Sequence, residues 1–254
     1  MRMIRSSLFT VFMYAFALCI ALVAWVTLFR REWAMAASKF WCRGVLWALR
    51  TLCGINTDMR GLDNLPEGPA IIAGKHQSMW ETVFFCALFN GPSFVLKKEL
   101  KSIPVFGWWC AKAGFIYIDR DAGARALRQM VDDAKDAIAK GATHIIIFPE
   151  GTRTGLGQKA TYNPGVAALA KALKLPVVPA AHNSGCHWRH PGPLKVPGTI
   201  FLEFLPPLSP KLPRAQLMEE LEDIVEGATA RLEAKGGHIR PSPSPHPMSE
   251  EIPS

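Results

Sequence analysis

His76 and Glu81 stand five positions apart in "GKHQSMWET", a stretch that begins where the short apolar run "PAIIAG" ends. On a regular helix the neighbouring side chains are three or four positions apart, so a contact between these two needs a bend. The bend is available if His76 sits in a loop after a strand and Glu81 in the first turn of the next helix. A carboxylate would then hold one imidazole nitrogen and leave the other to take a proton from a hydroxyl. An acid in the first turn of a helix also satisfies the helix dipole. The pair therefore reads either as a base with its orienting acid or as a helix start beside a loop histidine.

Three more clusters fall at strand ends or in loops, where α/β proteins place their chemistry. "FPEGTRTG", residues 148–155, follows the apolar run "HIII". Its glycines let the backbone turn N–H groups toward an anion, and Arg153 adds a forked donor suited to phosphate. The same letters also describe an ordinary turn with a solvated Glu150. "KKEL" and "GFIYIDR" put Lys97, Lys98 and Arg120 near strand ends, as phosphate contacts or as solvated cations. "PVVPAAHNSG" is a buried strand running into a polar turn.

The elements that must position these groups are short apolar runs alternating with helical segments. "AIIAG", "SFVLK", "GFIYI", "HIIIF", "PVVPA" and "TIFLEF" are rich in branched and aromatic residues and bounded by Gly, Pro or polar residues. Between the third and fourth, Leu127, Met130, Val131, Ala134, Ala137 and Ile138 recur at helical spacing, and Gly141 stops the pattern. The fold class expected is α/β: a single layered domain with a mainly parallel central sheet flanked by helices, preceded by N-terminal membrane-associated helices. Residues 1–60 make up the anchoring helices and residues 61–236 the layered domain, closed by a helix at about 213–235. Residues 237–254 are too rich in Pro and Ser to pack and read as a disordered tail.

The run from Ser7 to Phe29 carries no charge and is flanked by Arg2, Arg5, Arg30 and Arg31. About 20 apolar residues span a bilayer as a helix, whereas a signal-peptide core is shorter. In "SKFWCRGVLWALRTLCGI" Arg43 and Arg50 lie two turns apart on one face, the pattern of an interfacial helix or of a second core helix. More basic residues follow the first helix than precede it, which puts the catalytic domain on the cytoplasmic side of an inner membrane. The chain has a formal net charge of +8 and an isoelectric point near 9.3, which suits anionic partners such as phospholipid surfaces and phosphate esters. No aromatic-basic motif for nucleic acid is present. The six cysteines lack a C-x-x-C pair, as in a chain kept reduced in the cytosol.

In order, "HQSMWE", "GFIYIDR", "FPEGTRT" and "VVPAA" resemble the four motif blocks of the glycerolipid acyltransferase family. Where that family usually carries aspartate, this chain carries Glu81. The resemblance implies acyl transfer from an acyl thioester, acyl-CoA or acyl-ACP (acyl carrier protein), to the sn-2 hydroxyl of lysophosphatidic acid. It gives His76 the role of general base and Glu81 that of orienting acid. It makes Arg120, Glu150, Gly151, Thr152 and Arg153 substrate-binding residues; Lys97, from its place near a strand end, is a further phosphate contact, and backbone amides near Gly151 are candidate oxyanion donors. No metal and no cofactor beyond the acyl donor is implied. Trp108 and Trp109, in "IPVFGWWCAKAG", fit an interfacial or acyl-tunnel element, or plain core packing. Another lyso-acceptor, such as a lyso-aminolipid, is the nearest alternative, and a non-catalytic membrane lipid-binding module a distant one. A zinc site from His182, Cys186, His187 and His190 fits no structural zinc spacing. A serine hydrolase is disfavoured because no G-x-S-x-G elbow is present.

Overall fold

The structure is a computed structural model that describes residues 1–23 and 25–237. The expected Pro/Ser-rich tail lies, from residue 238 onward, outside the described residues. The strands are β1 (Ile55–Arg60), β2 (Ala70–Gly74), β3 (Pro92–Lys97), β4 (Ile116–Ile118), β5 (His144–Ile147), β6 (Val177–His182) and β7 (Gly198–Phe204). They form one sheet in the order β1-β7-β6-β2-β5-β3-β4. Of the six pairings only β6 with β7 is antiparallel. β2 to β6 thus all end at one edge of the sheet, which is where the site forms.

The helices are α1 (Arg2–Val23), α2 (Arg31–Cys53), α3 (Trp80–Leu88), α4 (Phe106–Ala113), α5 (Gly123–Ala139), α6 (Gly165–Leu173), α7 (Ser184–His187) and α8 (Arg214–Lys235). The alternation of side chains along a strand sorts the core into two layers. Ile72 and Ile146 face Val45 and Leu49 of α2 and Trp80 and Phe85 of α3. Ile71, Ile145 and Ile147 face Met130 of α5, Val166 and Leu169 of α6, and Leu221 and Val225 of α8. Both faces of β2 and β5 are therefore covered, which is why these strands are near-continuous apolar runs.

Two N-terminal expectations change. The uncharged run does not continue as one helix to Phe29: α1 ends at Val23, and Trp25–Phe29 is a separate 3-10 turn. Among the described residues α1 is the one helix long and apolar enough to cross a membrane. Its first half nevertheless packs on the domain. Phe9 is fully buried, edge-on to Trp188 at 5.2 Å, and the Lys195 N–H donates to Ser6 Oγ at 2.9 Å. Leu8, Val11, Tyr14, Leu18 and Leu22 of α1 point outward, as do Trp33, Phe40 and Trp47 of α2. α2 is thus a core helix on one face and an exposed aromatic surface on the other.

Ile55–Arg60, which the sequence places with the anchoring helices, is β1, an edge strand beside β7. Only Ile55 in it is buried, so "INTDMR" shows no apolar alternation. Gly61 then turns the chain with φ +70, and a Cβ there would stand 2.0 Å from the Phe204 carbonyl oxygen. Only glycine fits that approach.

Candidate active site

The chain continues past β2 in extended form, and the Lys75 N–H donates to the Ala180 carbonyl of β6 at 3.0 Å. It then bends through Gln77 and Ser78 into α3. The bend brings His76 Nδ1 to Glu81 Oε1 at 2.8 Å. A carboxylate only accepts, so Nδ1 carries the proton and Nε2 is left as the basic nitrogen. Phe148, from the end of β5, stacks on the imidazole with ring centroids 4.3 Å apart and planes 10° apart. The histidine side chain keeps 16% exposure while that of Glu81 has none, so the imidazole is reachable and the carboxylate that holds it is dry.

Glu81 accepts from every side. Oε1 takes the N–H groups of Gln77 (2.8 Å) and Ser78 (2.7 Å) as well as the imidazole. Oε2 takes the hydroxyls of Ser78 (2.8 Å) and Ser184 (2.9 Å). Burial alone would raise its pKa, but the His182 and His76 imidazoles and the Ser78 N–H hold it well below the ordinary carboxylate range. His182 is fully buried, donates from Nε2 to the Lys75 carbonyl (2.9 Å) and accepts the Ser184 N–H at Nδ1 (3.3 Å). Burial pushes its own pKa down.

Glu150 departs from the expected substrate contact. It is buried: Oε2 accepts the His76 backbone N–H at 2.8 Å, and Oε1 pairs with the Lys75 ammonium and accepts the Thr154 hydroxyl at 3.0 Å. The Thr154 N–H donates to the His76 carbonyl at 2.8 Å. Both backbone polar groups of His76 are therefore held by the loop after β5. Glu150 is a positioning residue because its oxygens already face protein donors.

Gly151, at φ +69, lies against the Arg120 guanidinium, and a Cβ there would be 3.3 Å from Arg120 Nη1 and 3.0 Å from Asn163 Nδ2. Its N–H closes a turn onto the Phe148 carbonyl at 3.0 Å, so that amide is not an oxyanion donor. Arg120, Thr152 and Arg153 are exposed at the same sheet edge as His76. Lys97 ends β3, at the same sheet edge, and pairs with Glu99 at 3.5 Å. His190, on the loop after α7, is pushed below its ordinary pKa by partial burial and by Arg153 and His76. Trp108 is exposed while Trp109 is half-buried, so the two tryptophans divide the expected roles between surface and core.

Sequence reasoning missed Lys75, Gln77 and Ser78, which flank the histidine in the stretch that drew attention to it. It also missed Ser184, the role of His182, which was weighed only as a zinc ligand and as part of a polar turn, and Glu226 and Glu233 on α8. The last two are acids seven apart beside a buried apolar stripe, and that spacing was their one signal. Among the residues considered for zinc, His182 serves Lys75 and Ser184, and His187 Nδ1 faces the Val196 carbonyl at 3.1 Å. Among the described residues no group of three or more potential ligands is placed to hold a metal ion.

A protein-family model described as Acyltransferase matches residues 56–183, from β1 to the turn after β6. A 1-acyl-sn-glycerol-3-phosphate acyltransferase of Pseudomonas aeruginosa is 46% identical over 160 residues, which are 63% of this chain and 62% of that protein. The enzyme of that name from Limnanthes alba is 33% identical over 65% of this chain and 57% of its own length. The human alpha form is 28% identical over 56% of this chain and 50% of its own. The match thus spans between half and two thirds of these relatives. The crystal structure of a 1-acyl-sn-glycerophosphate acyltransferase from Thermotoga maritima superposes with a TM-score of 0.74 at 23% identity, covering 92% of this chain and 98% of that one, and so shares the fold. The family match covers half of the chain and takes in His76, Glu81, Arg120 and the loop from Phe148 to Arg153: the chain belongs to the Acyltransferase family.

Proposed function

We propose that the chain transfers an acyl group from an acyl thioester, carried by coenzyme A or acyl carrier protein, to the free sn-2 hydroxyl of lysophosphatidic acid, giving phosphatidic acid. The observation that carries this reading is the Glu81-held His76, with Nε2 open at a sheet edge that also presents Arg120 and Arg153. The relatives named above are acyltransferases for 1-acyl-glycerol 3-phosphate, which supports the acceptor. Nε2 takes the hydroxyl proton, and the developing alkoxide attacks the thioester carbonyl. The tetrahedral adduct expels the thiolate, which recovers the proton from Nε2. Glu81 stays ionised throughout and stabilises the imidazolium. Arg120 and Arg153 bind the phosphate monoester, whose near-dianionic charge suits forked donors. The co-substrates supply every atom that moves.

The outward apolar residues of α1 and α2, with Ile103, Phe106 and Trp108 near α4, form the membrane-facing surface. Arginines at the ends of α1 and α2 meet the headgroups, with the catalytic domain on the cytoplasmic face of the inner membrane. The test is an acceptor panel. Purified protein in detergent receives a labelled acyl thioester with lysophosphatidic acid, lysophosphatidylcholine or a lyso-aminolipid. Lysophosphatidic acid is expected to be acylated fastest. Arg153→Ala should cost about ten- to a hundredfold in kcat/KM on that acceptor, the scale of one or two charge-assisted bonds. Equal use of lysophosphatidylcholine, or indifference to Arg153→Ala, would contradict the phosphate site. Preferential use of the lyso-aminolipid would move the enzyme to that acceptor.

A further inference from the structure

We infer that α8, which lies outside the family-matched segment, sets the position and charge of the catalytic histidine through two buried carboxylates, Glu226 and Glu233. Both chain neighbours of His76 are tied to this helix. Lys75 is fully buried, and its ammonium meets Glu226 Oε1 at 2.6 Å, the Glu150 carboxylate and the Gln158 carbonyl at 3.3 Å. The Tyr162 hydroxyl donates to Glu226 Oε1 at 3.3 Å. On the other side Gln77 Nε2 donates to Glu233 Oε1 at 2.6 Å, and Gln77 Oε1 accepts the Gly185 N–H at 3.1 Å. Glu226 and Glu233 are seven residues apart, two turns along one face of α8. Lys75 and Gln77 are two apart on a largely extended segment, so they reach the same side while His76 points the other way.

Each tether continues to the base. Glu226 fixes Lys75, Lys75 fixes Glu150, and Glu150 holds the His76 N–H. Glu233 fixes Gln77, whose own N–H holds Glu81 Oε1. Glu226 and Glu233 act through Lys75 and Gln77 and are positioning residues. A catalytic group must be held within about 0.5 Å of its productive place, and only a rigid support does this. Glu226 also bears on charge. Replacing it by glutamine makes the Lys75, Glu150 and Glu226 cluster one unit more positive and disfavours the neighbouring imidazolium.

This inference rests on the assignment of His76 as the base, and its test separates the two claims. The variants are Glu226→Gln, Glu226→Asp, Glu233→Gln and Glu233→Leu, with Asp223→Asn on the exposed side of α8 as control. The first readout is independent of turnover: the titration of the His76 ring by NMR of histidine-labelled protein in detergent, assigned by its loss in His76→Gln. Glu226→Gln should move that titration to lower pH, Glu226→Asp should keep it near the wild type, and Asp223→Asn should leave it alone. The second readout is acyl transfer by protein whose fold is checked by circular dichroism. Glu226→Gln and Glu233→Leu should lower kcat by about tenfold or more with KM for both substrates nearly unchanged, because a misplaced base is felt in the transition state. Glu233→Gln keeps an acceptor for Gln77 and should stay within about threefold of the wild type. An unmoved His76 titration in Glu226→Gln overturns the inference whether or not transfer is observed. So does a folded Glu226→Gln or Glu233→Leu with wild-type kcat. A His76 titration that shifts in a protein transferring no acyl group supports the α8 linkage and rejects the acyltransferase reading instead.

Discussion

Glu81 is the residue on which the site turns, because a buried carboxylate survives only when its charge is answered. Its partners are the His76 ring, two backbone N–H groups and two serine hydroxyls. Glu81→Gln keeps the volume but offers an NH2 group where donors already point, so kcat should fall by about 10²–10⁴, the range for losing an effective general base. The stability of this variant should also depend on pH. A carboxylate whose folded pKa is depressed contributes stability above its unfolded value of about 4.3, and that stability is lost as pH falls below it. The gap in Tm between wild type and Glu81→Gln should be flat from pH 7 to about 5 and shrink below about 4.3. A gap that closed already near pH 6 would mean that Glu81 is not held low. The contact between His76 and Glu81 was legible in the sequence because the two lie within one short bend. The role of Glu150 was not, since a glutamate beside a glycine turn looks the same whether it meets substrate or protein. What decides is Lys75, 75 residues away, and Glu226 on a distant helix.

At the scale of elements, the six apolar runs named from sequence all fall in strands; β2, β5 and β6 are buried on both faces, which leaves them no polar side, whereas β7 alternates. β1 escaped notice for the opposite reason, as an edge strand with one buried residue. α1 shows how composition can hide a division of labour. Beyond Arg5 it carries no charge, yet Ser6, Phe9 and Met13 are buried in the domain while Leu18 and Leu22 face outward. Phe9→Ala should therefore cost about 3–5 kcal/mol, the usual loss for a buried phenylalanine, and lower the Tm in detergent. Leu18→Ala should leave the Tm within a degree or two and weaken vesicle binding, since Leu18 adds apolar area to the surface rather than to the core. Equal effects of the two on Tm would place both in the core and remove the distinction.

Taken whole, the molecule is a sheet edge that carries His76 attached to an apolar helical pair, and the proposed function divides a lysophospholipid between them: phosphate and hydroxyl at the edge, acyl chains at the apolar surface. Attachment that depends on buried apolar area should resist high salt, which screens only the electrostatic part, and yield to detergent. Release of the intact chain from membranes by salt alone would contradict it. The central claim is that His76 is the base for transfer of an acyl group to lysophosphatidic acid, and it is tested most directly by the rate of labelled phosphatidic acid formation. Wild type and His76→Ala are compared at equal folded concentration, with saturating acyl thioester and lysophosphatidic acid. The account predicts steady formation by the wild type and a loss of at least about 10²-fold in the variant. A folded His76→Ala that retained more than about a tenth of the wild-type rate would contradict it.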